Sequence, residues 1–500
     1  MKAGGNDSSF PIVRLKATVL VLCLISFAFA GNKSSTQSSR INVTTTSAEA
    51  RNLFNDGWSK VQTFRFADAL ESWRKATQAD PHLALAHVLI AYHTANPAEQ
   101  VSEQEKALES KSYAGREEEL IVDWLANTVQ SHWIPAIQAM NEALQEYPND
   151  GGLAWLAGTW LEIQQQPARA IPLFEKSIRI DPKFPEPWNE LAYCNARIRN
   201  FDKAFEAMKR YTVLLPNESN PQDSFAEISR MAGRYEDALT HYRASLRLDP
   251  KFTMSQVGIA DTYALMGDES RARAEYAIAL QKATTKIDAT LWSLQSAISY
   301  VREGNIKGAD QAFEAVARQA HENDLGNTEA RAYRMMALYQ KDYATAIALL
   351  DKAEAALHED HKISNSLLEQ EYAFILQTRV RLAVQNGNTE SAAGALDQLE
   401  QVAGRSNDGF VQHAYNGAAG TVLLAQNNSA KAVYHLEQDP RNPFSMLLLV
   451  QAYSQLGAKD DAERMRQALA GFNEPNIEQA LVVPQFRREG TAMVTGMHKR

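Results

Sequence analysis

Pro148, Pro182, Pro216 and Pro250 stand 34 residues apart, and each closes the same kind of segment. Twelve residues before them come Ala136, Ala170, Ala204 and Ala238; eight before come the bulky Met140, Phe174, Met208 and Tyr242. Five before, the residue is small in three copies (Ala143, Ser177, Ser245) and Tyr211 in the fourth. Self-similarity at this period predicts a helix–turn–helix unit stacked along the chain, each unit packing only on its neighbours. Such an array constrains how a surface is built and leaves open what binds there.

Composition agrees with helices. The chain is 45% apolar, rich in Ala, Leu, Glu, Gln and Arg, with few β formers in alternation. A net charge of −9 and a pI near 5.8 leave no basic excess to displace counterions from phosphate, which argues against a general nucleic-acid binder. The start of the chain reads differently. Lys2, Arg14 and Lys16 precede an uncharged run from Ala17 to Ala30 that ends Ala28-Phe29-Ala30, the pattern of a secretory signal peptide cleaved after Ala30. The run is short for a membrane span, which takes about 20 residues, so an uncleaved N-terminal membrane anchor is the alternative. Leu22 before Cys23 breaks the lipobox pattern. The expected location is periplasmic or secreted. Residues 31–47, rich in Ser, Thr and Asn, read as a flexible tether. Without residues 1–30 the net charge is about −11 and Cys194 is the remaining cysteine, so no intrachain disulfide forms and the thiol is expected on a buried helix face.

The segments resemble the tetratricopeptide repeat. The copy from Ala50 places Leu53, Gly57, Ala69, Trp73, Ala76 and Pro81 at its positions 4, 8, 20, 24, 27 and 32. The copy from Pro185 supplies Trp188, Leu191, Ala192, Ala204, Met208 and Pro216; the copy from Thr253 supplies Ile259, Ala260, Tyr263, Ala272, Tyr276 and Ala279. The resemblance implies an all-α, right-handed superhelical solenoid of about twelve units. Positions 8 and 20 are small because the two helices cross there. Gly233, Gly267, Gly304, Gly387 and Gly457, with Asn427, occupy the turn between helices, where a left-handed residue is wanted. The register predicts a solenoid over 48–471, with a degenerate unit near 84–116 and insertions near 282–289, 319–326 and 356–371 falling in inter-repeat loops. Residues 472–500 are expected to give one capping helix and a tail. The run REEELIVDWLANTVQSHW after a degenerate second unit resembles one bacterial class of these arrays, and it carries over no active site.

In this family helix A lines the concave groove. Its lining positions here give Trp58 and Trp155, then Glu186, Asn189 and Tyr193, then Asp223 and Glu227, then Asp261. Acids and aromatics suit a protein or peptide partner of basic or mixed charge, since aromatics concentrate binding energy. The lysine pair of a carboxylate clamp is missing. No P-loop, G-x-S-x-G or dinucleotide motif appears, and the His358-Glu359-Asp360-His361 run lacks the spacing of a zinc helix, so neither a catalytic residue, a metal nor a cofactor is expected. The reading is a non-catalytic exported scaffold for protein–protein interaction; the alternative is an envelope glycan or small-ligand binding protein built on the same helices.

Overall fold

The computed structural model describes residues 43–62, 66–94, 96–359 and 365–497; the signal sequence and most of the tether lie outside them. Twelve successive helix pairs run from Ala48–Gln62 and Phe66–Ala79 to Pro443–Gln455 and Lys459–Ala470, and a single helix, Ile477–Met497, follows. Each helix packs on its partner and on the next pair. Among the described residues there is no strand.

The interval of 34 residues is a packing rule. Ala136, Ala170, Ala204 and Ala238 are fully buried, and Met140, Phe174, Met208 and Tyr242 fill the space between each pair's helices. The prolines fall two residues past the helix ends at Glu146, Ile180, Leu214 and Leu248. Crossing is tight enough to demand glycine in places: a Cβ on Gly57 would lie 2.5 Å from Nε1 of Trp73, whose ring is fully buried. All five expected turn glycines and Asn427 have positive φ. In three pairs the same turn is made by Ser131, Gln165 and Arg199, also at positive φ. Two of these non-glycine side chains reach the far end of the array: Arg199 Nη1 donates to the Gly471 carbonyl (3.2 Å), and Arg441 Nη1 donates to Gln165 Oε1 (3.2 Å).

Three expectations need correction. The extra residues near 282–289 and 319–326 lengthen helices rather than loops, and so do the described ones near 356–371, of which residues 360–364 lie outside the described residues. They extend Lys286–Glu303, Ile306–Glu322, Tyr343–Glu359 and Asn365–Gln385, because added turns of amphipathic helix keep their main-chain groups bonded. The degenerate unit is a complete pair, Ala84–His93 and Pro97–Ser110, with Pro97 at the start of its second helix, where its missing N–H costs nothing. The tether is fixed at its C-terminal end: Val43 is buried, and the Thr44 amide donates to Glu118 Oε1 at 2.7 Å.

The last segment turns back onto the middle of the array. Ile477 and Ala480 join the apolar core of residues 294–382, and residues 473–487 bond to helices of the sixth to eighth pairs. Asn473 Nδ2 donates to the Met231 carbonyl, Arg302 Nη2 to the Asn476 carbonyl (3.0 Å), and Arg487 Nη1 to the Leu265 carbonyl (3.2 Å). A second bridge joins the fourth pair to the eleventh, with the Gly409 amide donating to Gln164 Oε1 at 3.2 Å.

Candidate functional site

The candidate groove divides into a closed part and an open part. In the closed part, Tyr193 donates its hydroxyl to Glu227 Oε2 (2.9 Å), and Ser255 donates to Asp223 Oδ1 (2.6 Å). Tyr276 donates to Asp261 Oδ1 (2.5 Å), and Arg230 donates to Glu227 Oε1 (3.1 Å) and to the Asn473 carbonyl (3.2 Å). Tyr193, Asp223, Glu227 and Asp261 are therefore engaged by the chain itself. Their charge is already met in part within the chain: Arg230 lies among these acids, and Arg302 also faces Asp261. Burial pushes the Asp223 carboxyl up to about 7, the Ser255 bond opposing it.

The open part is a cavity of about 270 Å³ between the first and fifth repeats, lined by Trp58, Tyr92, Trp155, Glu186, Asn189 and Glu190, among others. It brings together four of the residues expected at the groove: Trp58, Trp155, Glu186 and Asn189. Helix Ala48–Gln62 carries Trp58, whose ring meets that of Trp155 edge to face, with centroids 5.5 Å apart. Trp155 sits on Gly151–Ile163, opened by Asp150, whose Oδ1 accepts from the Leu153 amide at 2.6 Å. That cap fixes where the helix starts and hence which face carries Trp155, Thr159 and Ile163. Opposite stands Glu186–Arg197, whose first turn and a half presents Glu186, Asn189 and Glu190.

Polarity is sharply divided within the cavity. Its apolar end is aromatic: His93 stacks on Phe66 (5.6 Å between centroids) and meets Tyr92 edge-on (5.1 Å). Burial pulls the His93 imidazole down to about 4, so it is neutral at pH 7, and pushes the Tyr92 phenol up to about 12. The other end is acidic. Burial raises the Glu190 carboxyl to about 7; a hydrogen bond with Asn189 opposes that shift, and the charge of Glu186 adds to it. Asn189 is 2% exposed, and its Oδ1 has no hydrogen-bond partner; Thr159 Oγ1 and the indole nitrogens of Trp58, Trp155 and Trp160 are likewise unpartnered in the wall. Buried polar atoms without partners are uncommon, and those of Asn189, Thr159, Trp58, Trp155 and Trp160 belong to residues that line this one cavity.

Sequence reasoning did not reach Phe66, Leu89, Tyr92, His93, Glu190 or Tyr211. One signal was visible for Tyr211, which stands where the other copies have Ala or Ser. Its ring is fully buried at the cavity wall, and its hydroxyl accepts from Asn220 Nδ2 at 2.8 Å. Cys194 is fully buried beside this region, and burial pushes its thiol well above the ordinary range, so it behaves as a small apolar side chain. His358 and Glu359 end the helix Tyr343–Glu359, and residues 360 and 361 lie outside the described residues. Among the described residues, no group of three or more His, Cys, Asp or Glu side chains is placed to hold a metal ion, and no helix is long and apolar enough to cross a membrane.

Residues 163–222 and 230–286 match the family described as tetratricopeptide repeat. Over 108 residues the chain is 29% identical to Superkiller protein 3 of Schizosaccharomyces pombe, a match that spans 22% of this chain and 8% of that protein. Among solved structures it is similar to yeast Tom70, at 13% identity over 84% of this chain and 96% of that one, with a TM-score of 0.43. It is similar also to a chain of the APC/C hetero-tetramer Cut9-Hcn1, at 17% identity over 81% and 76%, with a TM-score of 0.40.

Proposed function

We propose that this chain, whose residues 163–222 and 230–286 match the tetratricopeptide repeat family, is a non-catalytic, exported scaffold whose open N-terminal cavity receives a protein partner. Export follows from the N-terminal signal pattern, with cleavage after Ala30. The observation that carries the reading is the contrast between the two parts of the candidate groove. Around Arg230 the side chains are engaged by one another and, through Arg230, by the chain's own C-terminal segment, while the cavity keeps unpartnered polar atoms and two exposed apolar residues in its lining, Phe66 and Ile163. Exposed apolar groups around a concave, largely apolar pocket are what an anchored contact uses.

Site-specific photo-crosslinking tests this. A photoreactive phenylalanine replaces Ile163 in the cavity lining or Val213, which is 72% exposed on helix Phe201–Leu214 and absent from that lining. One discrete cross-linked protein at 163, missing at 213, is the expected result in envelope material. Cross-linking at 213 alone, or none at either position, overturns the assignment. The enclosure of the cavity also favours the small-ligand alternative, and the chemistry of its walls says which ligand.

A further inference from the structure

We propose that the cavity lined by Trp58, Trp155, Asn189 and Glu190 is a binding site for a small organic cation: an ammonium group carried on one ring or a branched aliphatic body. This inference rests on the same cavity as the scaffold reading, but not on any protein partner.

The argument starts from what the walls lack. Asn189 is nearly fully buried, its amide is turned to Glu190 by a hydrogen bond, and its Oδ1 remains without a donor. Glu190 is half-buried in the same wall, with Glu186 beside it adding negative charge. Two neighbouring acceptors in a poorly solvated corner need N–H donors, and a carboxylate there needs positive charge. An ammonium ion supplies both, with three donors on a single point charge. The rest of the wall selects what the ammonium is attached to. Trp58, Trp155, Phe66, Tyr92 and Tyr211 present aromatic surface, and aromatic faces attract cations through the ring quadrupole. Leu89, Val61, Leu125 and Ile163 complete an apolar lining.

Other ligand classes fit less well. A carboxylate or phosphate would face two acids, and among the described residues no Lys or Arg side chain lines the cavity. A sugar would bring many hydroxyls against a mostly hydrocarbon wall, leaving most of them without partners. The size, about 270 Å³, suits one ring with a short amine arm rather than a chain of sugars.

Titration calorimetry on the mature chain, with quenching of the wall tryptophans as a second readout, tests the proposal. The probes are 2-phenylethylammonium, its neutral counterpart 2-phenylethanol, phenylacetate and maltotriose. The expected result is binding of the ammonium at least tenfold tighter than the alcohol, with phenylacetate and maltotriose silent. Glu190→Gln keeps shape and removes charge; it should bring the ammonium to within about twofold of the alcohol while alcohol binding persists. Equal binding of ammonium and alcohol by the wild type, preference for phenylacetate or maltotriose, no binding of any probe, or undiminished preference in Glu190→Gln would each overturn the proposal. Loss of the cross-link at residue 163 with ammonium binding intact would sink the scaffold reading alone, so the two failures are distinguishable.

Discussion

Arg230, on the first helix of the sixth repeat, donates from Nη1 to the main-chain oxygen of Asn473, 3.2 Å away and 243 residues later in the chain. The contact belongs to a series. Arg302 donates to the Asn476 carbonyl and pairs with Gln479, Arg334 faces Glu478, and Arg487 Nη2 donates to the Phe472 carbonyl. Residues 471–476 join two helices, and the Gly471, Phe472 and Asn473 carbonyls take their donors from arginine side chains rather than from a helix. Arginine suits that task better than lysine because its planar fork reaches several acceptors at once. An array of repeats ordinarily ends where its last pair ends; here the end is tied to the middle, and the tie uses side chains that a reading of the groove would assign to a partner.

Replacing Arg230 with methionine should therefore destabilise the array although the stem is kept. Arg230 is 4% exposed, and its loss leaves the Asn473 carbonyl and Glu227 Oε1 each short of a donor. A buried acceptor left short of a donor costs roughly 1–3 kcal/mol, so the expected loss is about 2–4 kcal/mol. Thermal melting by circular dichroism measures it. Limited proteolysis should show faster cleavage at residues 471–476, whereas Arg210→Met at an exposed position should leave both readouts unchanged.

Two glycine substitutions should act with opposite sign. A Cβ on Gly258 would stand 2.2 Å from Cζ of Tyr242, a ring wedged 2% exposed between the helices. Backbone or ring must shift, and overpacking of this kind costs roughly 1–3 kcal/mol, more than the helix propensity gained. Gly394 lies exposed inside Thr389–Arg405 with nothing within 4 Å of its Cβ position. There alanine only removes freedom from the unfolded chain, and about 0.5–1 kcal/mol of stabilisation is expected. Melting temperatures of Gly258→Ala and Gly394→Ala moving in the same direction would refute the pairing.

The same contrast explains what could be read in the sequence. Ala136, Gly57 and Trp73 answer to contacts within one helix pair, and such local rules repeat, so the interval of 34 residues exposed them. The turn glycines follow for the same reason. Ser131, Gln165 and Arg199 broke that rule, and two of the three turned out to mark contacts with residues 441 and 471. A contact across the array happens once and has no period to betray it. The cavity was half legible: Trp58, Trp155, Glu186 and Asn189 lie at repeat positions, while His93 and Glu190 depend on how non-adjacent repeats converge. The added residues near 286 and 319 looked like loops because register arithmetic counts residues and does not see that a helix can grow by a turn.

Glu371 gives a prediction at acid pH. It is 2% exposed between Arg334 (2.6 Å) and Arg331 (3.3 Å). Burial pushes its carboxyl up, but the charges and hydrogen bonds of the two guanidinium groups outweigh it and hold the carboxyl below its ordinary range. A folded pKa below the unfolded value of about 4.3 means the stabilisation is present above that pH and is lost as pH falls through the folded pKa. Glu371→Gln strands two buried or half-buried cations and should cost about 3–5 kcal/mol at pH 7. The gap between variant and wild type should narrow as the pH is lowered below 4, read by urea unfolding across that range.

Glu190 has the opposite sign. Burial raises its folded carboxyl to about 7, well above the unfolded value, with Asn189 opposing and Glu186 adding to the shift. The folded state therefore holds a proton that the unfolded state has already lost between about pH 4.3 and 7. The associated stability is complete below the unfolded pKa and disappears as pH rises through 7. Each pKa unit is worth about 1.4 kcal/mol, so the wild type should lose on the order of 2–4 kcal/mol from this group between pH 4.5 and 8. Glutamine does not titrate and keeps the contact to Asn189. Glu117, Asp223, Glu269 and Asp439, also raised to about 7, shift wild type and variant alike and cancel in the comparison. Glu190→Gln should then melt higher than wild type at pH 8, with the difference shrinking or reversing at pH 5. Saturating 2-phenylethylammonium should remove most of the wild type's deficit at pH 8 and stabilise the variant no more than 2-phenylethanol does. A pH-independent difference would show that Glu190 is solvated and carries no burial penalty for a cation to relieve.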